Sequence, residues 1–249
     1  MLLEGRVAFV TGAARGLGKV LAQALTKEGA QVAVADIRDE VEQTARELEE
    51  GGYRSVAVKM DVSDYDSVVK GFAKAVEQLG PVDILINNAA ITDNMATVIK
   101  MEKRNWDREI SVNLSGAFYC VKQVLSSMTE RKWGRIINII SGAGMHGGFG
   151  QCSYSASKAG LVGLARSIAL ETARKGVTSN CVNPGLMPTP AFYGLDENIR
   201  ERILRTIPSR QPCDPENVAN VVVFLVSDKA SYITGATYDV TGGQDLFTY

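Results

Sequence analysis

The stretch that decides the fold runs from Val7 to Gly18 and reads VAFVTGAARGLG. Its first four residues are apolar, which is typical of a buried strand. The glycines that follow are spaced G-x-x-x-G-x-G and let the backbone turn sharply before a helix begins near Gly16. A strand, a glycine-rich turn and a helix in this order favour a pyrophosphate at the helix N-terminus, where free amides and the helix dipole attract an anion. The alternative is a purely structural turn, because glycine is common in turns and the spacing differs from the G-x-G-x-x-G of many dinucleotide folds.

Short apolar runs alternate with amphipathic segments along most of the chain. The predicted strands cover residues 7–10, 32–35, 56–58, 84–86, 135–140 and 179–182. The predicted helices cover about 16–28, 39–50, 63–79, 106–131 and 153–173, with Ser63 expected to cap the third. Strands that are apolar on both faces and separated by helices predict a parallel sheet with helices on each side. No linker or repeat interrupts residues 1–249, so we expect a single-domain, doubly wound α/β fold of the Rossmann type.

Composition excludes several classes of function. The formal net charge is -1, which gives no electrostatic reason to bind nucleic acid or an anionic membrane. No apolar run reaches the length of a membrane span. The four cysteines lie far apart and His146 is the only histidine, so neither a metal site nor a disulfide framework is expected. The first residues lack the basic start and apolar stretch of a signal peptide, and a cytoplasmic location is expected.

One acidic residue bears on the choice of cofactor. Asp36 ends the second predicted strand, where a carboxylate can accept hydrogen bonds from the adenosine ribose and repels a 2'-phosphate. Arg15 and Arg38 argue the other way, because either could pair with that phosphate. Exposed arginines are also plausible as solvated charges, so Asp36 favours NAD over NADP.

A tyrosine and a lysine are placed for acid/base chemistry. Tyr154 and Lys158 are one helical turn apart on the same face, at the start of the helix after the fifth strand. Ligands bind at the carboxyl ends of strands in such sheets, and an ammonium together with a nicotinamide ring would lower the pKa of the phenol. Ser141 follows the same strand and could hold a substrate oxygen. Asn113 lies in a mostly apolar helix, either as a satisfied core amide or as a group that distorts the helix or relays a proton. The alternative for the first pair is an exposed Tyr–Lys contact.

In these motifs the chain resembles the short-chain dehydrogenase/reductases, in particular the branch with 3-oxoacyl-(acyl carrier protein) reductases and related 3-hydroxyacyl and secondary-alcohol dehydrogenases. The resemblance covers nearly the whole chain. It is carried by TGAARGLG at 11–18, Asp61-Val62, NNAA at 87–90, Asn113, Ser141, YSASK at 154–158 and PGLMPT at 184–189. One departure is Ala90, where the family usually has glycine.

The resemblance implies a role for each catalytic residue. Tyr154 would be the general acid/base, and Lys158 would lower its pKa and bind the nicotinamide ribose. Ser141 would polarise the carbonyl, and Asn113 would support a water relay to Lys158. The expected cofactor-binding residues are Gly12, Arg15, Gly16, Leu17, Gly18, Asp36, Asp61, Val62, Asn88, Ala89, Tyr154, Lys158, Pro184, Gly185, Met187 and Thr189. Within that set, Asp61 and Val62 would contact the adenine and Thr189 the carboxamide. A homotetramer is also implied, with residues 239–243 near an interface.

Two segments are expected to shape the substrate site. Residues 142–150 should form a mobile loop over the substrate, where His146 either contacts the substrate or is simply exposed. Cys152, just after that loop, either lines the pocket or is an inert thiol. Residues 190–207 are expected either to cover a hydrophobic substrate as a lid or to pack down as an ordinary helix.

The expected function is an NAD-dependent oxidoreductase that interconverts a secondary alcohol, or a 3-hydroxyacyl thioester, and its ketone. The acyl-carrier reductases of the family usually prefer NADP, which Asp36 does not fit, so an alcohol-oxidising role is favoured. One alternative is an NADP-dependent 3-oxoacyl thioester reductase. The other is a non-catalytic nucleotide-binding subunit, against which the intact catalytic group argues.

Overall fold

A single parallel sheet organises the protein. The computed structural model describes residues 1–188, 190–244 and 246, apart from the side chains of residues 190 and 191. The strands are β1 Val7–Thr11, β2 Gln31–Asp36, β3 Ser55–Lys59, β4 Ile84–Asn87, β5 Gly134–Ile139, β6 Val177–Pro184 and β7 Thr237–Val240. All neighbouring strands pair in parallel, in the order β3-β2-β1-β4-β5-β6-β7. The predicted doubly wound α/β fold is therefore confirmed.

Helices connect the strands. They are α1 Gly16–Lys27, α2 Val41–Glu50, α3 Tyr65–Leu79, α4 Lys103–Ile110, α5 Gly116–Glu130, α6 Gly142–His146, α7 Cys152–Thr172, α8 Pro190–Tyr193, α9 Glu197–Leu204 and α10 Pro215–Val226. A π-helical turn, Ser111–Ser115, joins α4 to α5. No helix in the described ranges is long and apolar enough to cross a membrane.

Side chains that alternate along the strands fill two cores, one on each face of the sheet. On the first face, strand residues such as Val10 and Val34 pack with α1, α2 and α10. On the second face, Phe9 and Ala33 pack with α3, α5 and α7. The rings of Phe9 and Phe72 stack with their centroids 3.9 Å apart. Burial of both faces explains why the central strands are continuously apolar in sequence.

Several local predictions are wrong in detail. Ser63 does not cap α3; Asp64 does, because its carboxylate accepts hydrogen bonds from the amides of Asp66 and Ser67. The predicted helix 106–131 begins earlier, at Lys103, and contains the π-helical turn. Residues 142–150 are not wholly a loop, because α6 forms one turn there.

The sheet also extends further than predicted. The seventh strand, β7, pairs with β6 and is short, partly exposed and polar at Asp239. Such an edge strand lacks the continuous apolar run that marks the inner strands. Strand order reverses between β1 and β4, which both leave their carboxyl ends at the same edge. In open α/β sheets the ligand crevice lies at this switch point.

Candidate active site

The glycine-rich loop after β1 leaves room for an anion against the backbone. Gly12 and Gly16 have positive φ angles of 65° and 56°, which favour glycine. A Cβ on Gly12 would lie 2.8 Å from the Cα of Ala89, so a side chain would fill the space. Arg15 precedes α1 without making a side-chain cap, which leaves the first amides of the helix for a ligand. These features fit the pyrophosphate of a dinucleotide.

The loop is fixed to the end of β4 by a small network. The Asn88 side-chain amide donates to the carbonyls of Thr11 at 2.9 Å and Gly12 at 3.1 Å. In return, the Thr11 hydroxyl accepts from the backbone amides of Asn88 and Ala89, both at 3.0 Å. Asn88 therefore holds the phosphate loop in shape besides bordering the cleft.

The Asp36 carboxylate is oriented by the backbone. One oxygen accepts from the amide of Ala14 at 3.0 Å and the other from the amide of Arg38 at 3.0 Å. Each carboxylate oxygen has a second lone pair and can accept a further hydrogen bond. Asp36 is thus a fixed acceptor at the end of β2, as a contact to ribose hydroxyls requires.

A cleft of about 490 Å³ runs along the carboxyl edge of β1, β2 and β4. Its lining comprises Gly12, Arg15, Gly16, Asp36, Ile37, Arg38, Met60, Asp61, Val62, Ser63, Asn88, Ala89, Ala90, Ile91, Asp93, Arg108 and Val112. Eight of the expected cofactor residues are among them: Gly12, Arg15, Gly16, Asp36, Asp61, Val62, Asn88 and Ala89. Asp61 is held by Ser63, whose amide and hydroxyl donate to one carboxylate oxygen at 2.8 and 2.7 Å. Arg15 and Arg38 line the same cleft as Asp36. The cleft therefore holds both the carboxylate that favours NAD and the arginines that could pair with the 2'-phosphate of NADP.

Two residues of the expected set support the loop from behind. Leu17 packs partly buried against the first core. Gly18 is buried, and a Cβ there would collide with the Gly12 carbonyl and lie 2.6 Å from the Asn88 amide nitrogen. Leu17 and Gly18 therefore pack behind the loop and do not line the cleft.

Tyr154 lies in the first turn of α7 beside Ser141. Burial raises the pKa of Tyr154, a hydrogen bond with the Ser141 side chain lowers it, and the charge of Glu109 raises it. The net direction is upward, whereas we expected an ammonium and a nicotinamide ring to lower the pKa. In the protein without a cofactor, burial is therefore the largest influence on the pKa of Tyr154.

Lys158 is buried below Tyr154. Its ammonium lies 5.7 Å from the centre of the Tyr154 ring and donates to the carbonyl of Ile139 at 2.7 Å. Burial lowers the pKa of Lys158 to about 8. Its two remaining N–H groups are free to face a ribose, because an ammonium has three donors.

Asn113 occupies the middle of the π-helical turn. Its side chain is buried, accepts from the amide of Ile91 at 2.8 Å and donates to the Ile91 carbonyl at 2.9 Å. It also donates to the Ser157 hydroxyl at 3.3 Å, on the helix that carries Tyr154. Asn113 is thus both a satisfied buried amide and part of a helix distortion, two readings that the sequence left open. π-Helical turns are frequent at functional sites.

A second cleft of about 450 Å³ adjoins Ser141. Its lining comprises Ser141, Gly142, Ala143, His146, Gly147, Gly148, Gln151, Asn183, Pro184, Gly185, Leu186, Thr241 and Gln244. It therefore contains the expected Pro184 and Gly185, together with His146. Met187 instead packs against the first core, and Thr189 lies outside the described residues. Cys152 is half-buried and lines neither cleft.

The segment expected to form a lid consists of two short helices, α8 and α9. Phe192 and Ile207 are buried, whereas Tyr193, Leu195 and Ile199 expose large apolar surfaces. The segment is thus anchored near both ends and carries unburied apolar groups between them.

A buried acid next to α7 was not predicted from the sequence. Glu109, in the last turn of α4, is 1% exposed and accepts a hydrogen bond from the Ser153 hydroxyl. Its spacing of four residues from Asn113 places both on one helix face, but that spacing alone does not indicate burial of Glu109. The pair of Arg108 with Asp93 at 3.0 Å, on the edge of the first cleft, was also missed.

Comparisons with known proteins show the family of this chain. Residues 12–245 match the family model described as enoyl-(acyl carrier protein) reductase. The chain is 42% identical over 244 residues to nodulation protein G of Azospirillum brasilense, which covers 97% of this chain and 98% of the relative. It is 40% identical over 239 residues to a 3-oxoacyl-[acyl-carrier-protein] reductase of Staphylococcus epidermidis, with 95% and 97% covered. It is 38% identical over 248 residues to a subunit of (2S)-[(R)-hydroxy(phenyl)methyl]succinyl-CoA dehydrogenase of Thauera aromatica, with 99% of each covered.

A solved structure shares the whole fold. The crystal structure of a putative short-chain alcohol dehydrogenase from Sinorhizobium meliloti superposes with a TM-score of 0.92 at 37% identity and covers 97% of both chains. Because the family model and these relatives span nearly the entire chain, this protein belongs to the short-chain dehydrogenase/reductase family of oxidoreductases.

Proposed function

We propose that this protein is an NAD-dependent dehydrogenase that interconverts a secondary alcohol, or a 3-hydroxyacyl thioester, and its ketone. The observation that carries the choice of NAD is the Asp36 carboxylate, which two backbone amides fix at the end of β2. A fixed acceptor suits two ribose hydroxyls and repels a phosphate at the 2' position. The Arg15 and Arg38 side chains lie on the same cleft, but an exposed arginine can turn toward solvent whereas Asp36 cannot leave its amides.

The catalytic step assigns one task to each residue. The residues of the first cleft would hold a nicotinamide cofactor, which would supply the hydride chemistry when bound. Ser141 donates a hydrogen bond to the substrate oxygen, where negative charge develops. Tyr154 takes the hydroxyl proton during oxidation and returns it during reduction. Lys158 holds the ribose and supplies positive charge near the phenol, while Asn113 fixes the turn beside it through Ser157.

The substrate class follows from the second cleft and from the relatives. The cleft beside Ser141 has polar groups in His146, Gln151 and Gln244 and apolar groups in Ala143, Pro184 and Leu186. One relative is a dehydrogenase of a hydroxyacyl-CoA and another a reductase of 3-oxoacyl thioesters, which supports a thioester among the possible substrates.

A cofactor titration by fluorescence tests the proposal. NADH should bind the wild type more tightly than NADPH, and Asp36→Ala should reduce that preference. Asp39→Ala is the matched control, because Asp39 is an exposed neighbouring carboxylate paired with Lys59 and lies outside the cleft lining. Tighter binding of NADPH by the wild type would refute the choice of NAD.

The second candidate is an NADP-dependent 3-oxoacyl thioester reductase. It is favoured by Arg15 and Arg38 in the cofactor cleft and by the relatives that reduce 3-oxoacyl thioesters. Tighter NADPH binding that Arg38→Ala abolishes would establish it. A non-catalytic nucleotide-binding role would instead require that Tyr154→Phe change nothing in any turnover assay.

We further propose a cytoplasmic homotetramer of single-domain subunits. Phe118 on α5 and Leu170 on α7 expose 45% and 88% of their surfaces, which is unfavourable for large apolar groups in water unless a partner covers them. Light scattering should give four times the chain mass. A monomer at micromolar concentration would refute this assembly.

A further inference from the structure

Two polar contacts join α4 and the π-helical turn to the catalytic helix at equal spacing. Glu109 accepts from the Ser153 hydroxyl, and four residues later Asn113 donates to the Ser157 hydroxyl. All four side chains are buried, with exposed fractions of 0–1%. Tyr154 and Lys158 directly follow the two serines. The catalytic pair is therefore attached to its neighbouring helix at two successive turns.

The function proposed above uses the contact between Asn113 and Ser157 but not the contact between Glu109 and Ser153. A buried carboxylate costs free energy unless it is hydrogen-bonded or paired with a cation. No lysine, arginine or histidine in the described part of the chain forms a salt bridge with Glu109, and its identified donor is Ser153. Packing alone therefore does not explain a glutamate at this buried position.

We propose that Glu109 is a positioning residue for the acid/base tyrosine: its buried carboxylate accepts a hydrogen bond from Ser153 and so anchors the first turn of α7, where Tyr154 lies. The inference rests on the proposed function, because it takes Tyr154 as the acid/base. It goes further by assigning control of the working pH to a residue outside the catalytic group.

The electrostatic surroundings of Tyr154 support this role. Besides burial and the Ser141 hydrogen bond, the charge of Glu109 acts on its pKa and raises it. The other titratable groups on the elements packed around the first turn of α7 are Cys152, Lys158, Arg166 and Glu171 on α7, His146 on α6, Cys181 on β6, Arg135 on β5, Tyr119, Cys120, Lys122 and Glu130 on α5, and Lys103, Arg104, Asp107 and Arg108 on α4. The π-helical turn carries no titratable side chain. Arg108 and Lys103 are engaged with Asp93 and Asp107, both in exposed pairs.

A negative charge beside the phenol has opposite effects on the two directions of reaction. Oxidation needs the phenolate as base, so Glu109 moves the pH range of oxidation upward. Reduction needs the phenol as acid, so the same charge keeps the proton available at neutral pH. Glu109 therefore sets the pH range in which kcat of each direction is highest and leaves the equilibrium between alcohol and ketone unchanged.

The test measures ionisation of Tyr154 directly in the NAD-bound protein. The ultraviolet absorbance of the phenolate is titrated for each protein and for the same protein carrying Tyr154→Phe, and the difference reports Tyr154 alone. Glu109→Gln removes the charge and keeps the shape. Glu109→Met removes the charge with an apolar side chain of similar length and decides the question if the Gln variant does not fold. Glu130→Gln, an exposed acid on α5, is the matched control.

We expect both Glu109 variants to move the Tyr154 midpoint to lower pH and Glu130→Gln to leave it in place. Ser153→Ala should lower kcat by about tenfold, the size expected for loss of a buried hydrogen bond to a charged group. An unchanged midpoint in both Glu109 variants would overturn the inference, whatever the substrate.

A pH profile of turnover separates this inference from the proposed function. With 3-hydroxybutyryl-CoA and NAD as probes, oxidation by Glu109→Gln at neutral pH should be several-fold faster than by the wild type. Failure of the wild type to oxidise any alcohol or hydroxyacyl thioester would refute the proposed function, and a lowered Tyr154 midpoint would still uphold the coupling to Glu109. Wild-type turnover with identical pH profiles in both proteins would refute the coupling alone.

Discussion

Replacing Asn88 by alanine tests whether the phosphate loop is held in shape before the cofactor binds. The side-chain amide of Asn88 makes two hydrogen bonds, to the Thr11 and Gly12 carbonyls at 2.9 and 3.1 Å. Each such bond contributes about 1 kcal/mol net, so the variant should lose about 2 kcal/mol in the free energy of unfolding. The partly buried position keeps water from replacing both bonds fully.

Binding of NADH should weaken by a related amount. If the loop must be reordered on binding, most of this 2 kcal/mol is lost from the binding free energy, and the dissociation constant rises by about ten- to thirtyfold. Urea denaturation and fluorescence titration measure the two quantities on the same protein. Asn217→Ala, an exposed position on α10, is the control and should alter neither. Unchanged stability and affinity in Asn88→Ala would refute the reasoning that this side chain holds the loop.

Further variants examine the glycine packing and the catalytic group. Gly18→Ala should weaken NADH binding at least tenfold, because the added Cβ would displace the Gly12 carbonyl. Gly163→Ala is the control: it has open space around it, so it should bind NADH normally and gain up to about 1 kcal/mol in the free energy of unfolding. Ser141→Ala removes the hydrogen bond that lowers the pKa of Tyr154, so the oxidation profile should shift to higher pH while kcat falls; an unshifted profile would speak against that bond. Lys158 has its pKa lowered to about 8 from 10.5, so the unfolded chain binds more protons between these values and stability should rise with pH in that window. Urea denaturation across pH should show this rise in the wild type, and Lys158→Met should lack it; an equal rise in both would exclude Lys158 as its source.

The inner strands and the glycine loop could be predicted because their signals are local. Strands such as β1 and β4 are apolar on both faces. The loop after β1 needs glycine at positions 12 and 16 because the backbone there has positive φ angles, whatever residues surround it. The edge strand β7 was missed because an edge needs no continuous apolar run. Ser63 was taken as a cap because it is a good cap type, but Asp64, the next residue, is equally good and has the geometry.

The buried polar contacts could be predicted only in part. Asn113 was recognised as unusual in an apolar helix, yet its partners Ile91 and Ser157 lie far away in sequence and are set by how the helices pack. Glu109 was missed because a glutamate on a charged helix is ordinarily solvated, and its burial is known only once α7 is in place. The pKa of Tyr154 depends on this same packing. The direction of its shift in the protein without a cofactor could therefore not be predicted from the spacing between Tyr154 and Lys158.

The most direct test of the central claim compares the wild type with Tyr154→Phe in the reduction of NAD by 3-hydroxybutyryl-CoA and by simple secondary alcohols. The account predicts turnover by the wild type and a loss of about 10²–10⁴-fold in kcat for the variant, the range expected when a general acid/base is removed. NADH should still bind to the variant, since the pyrophosphate contacts of the glycine-rich loop and the ribose contact of Asp36 remain. A Tyr154→Phe variant as active as the wild type would contradict the account, because the account assigns the proton transfer to Tyr154.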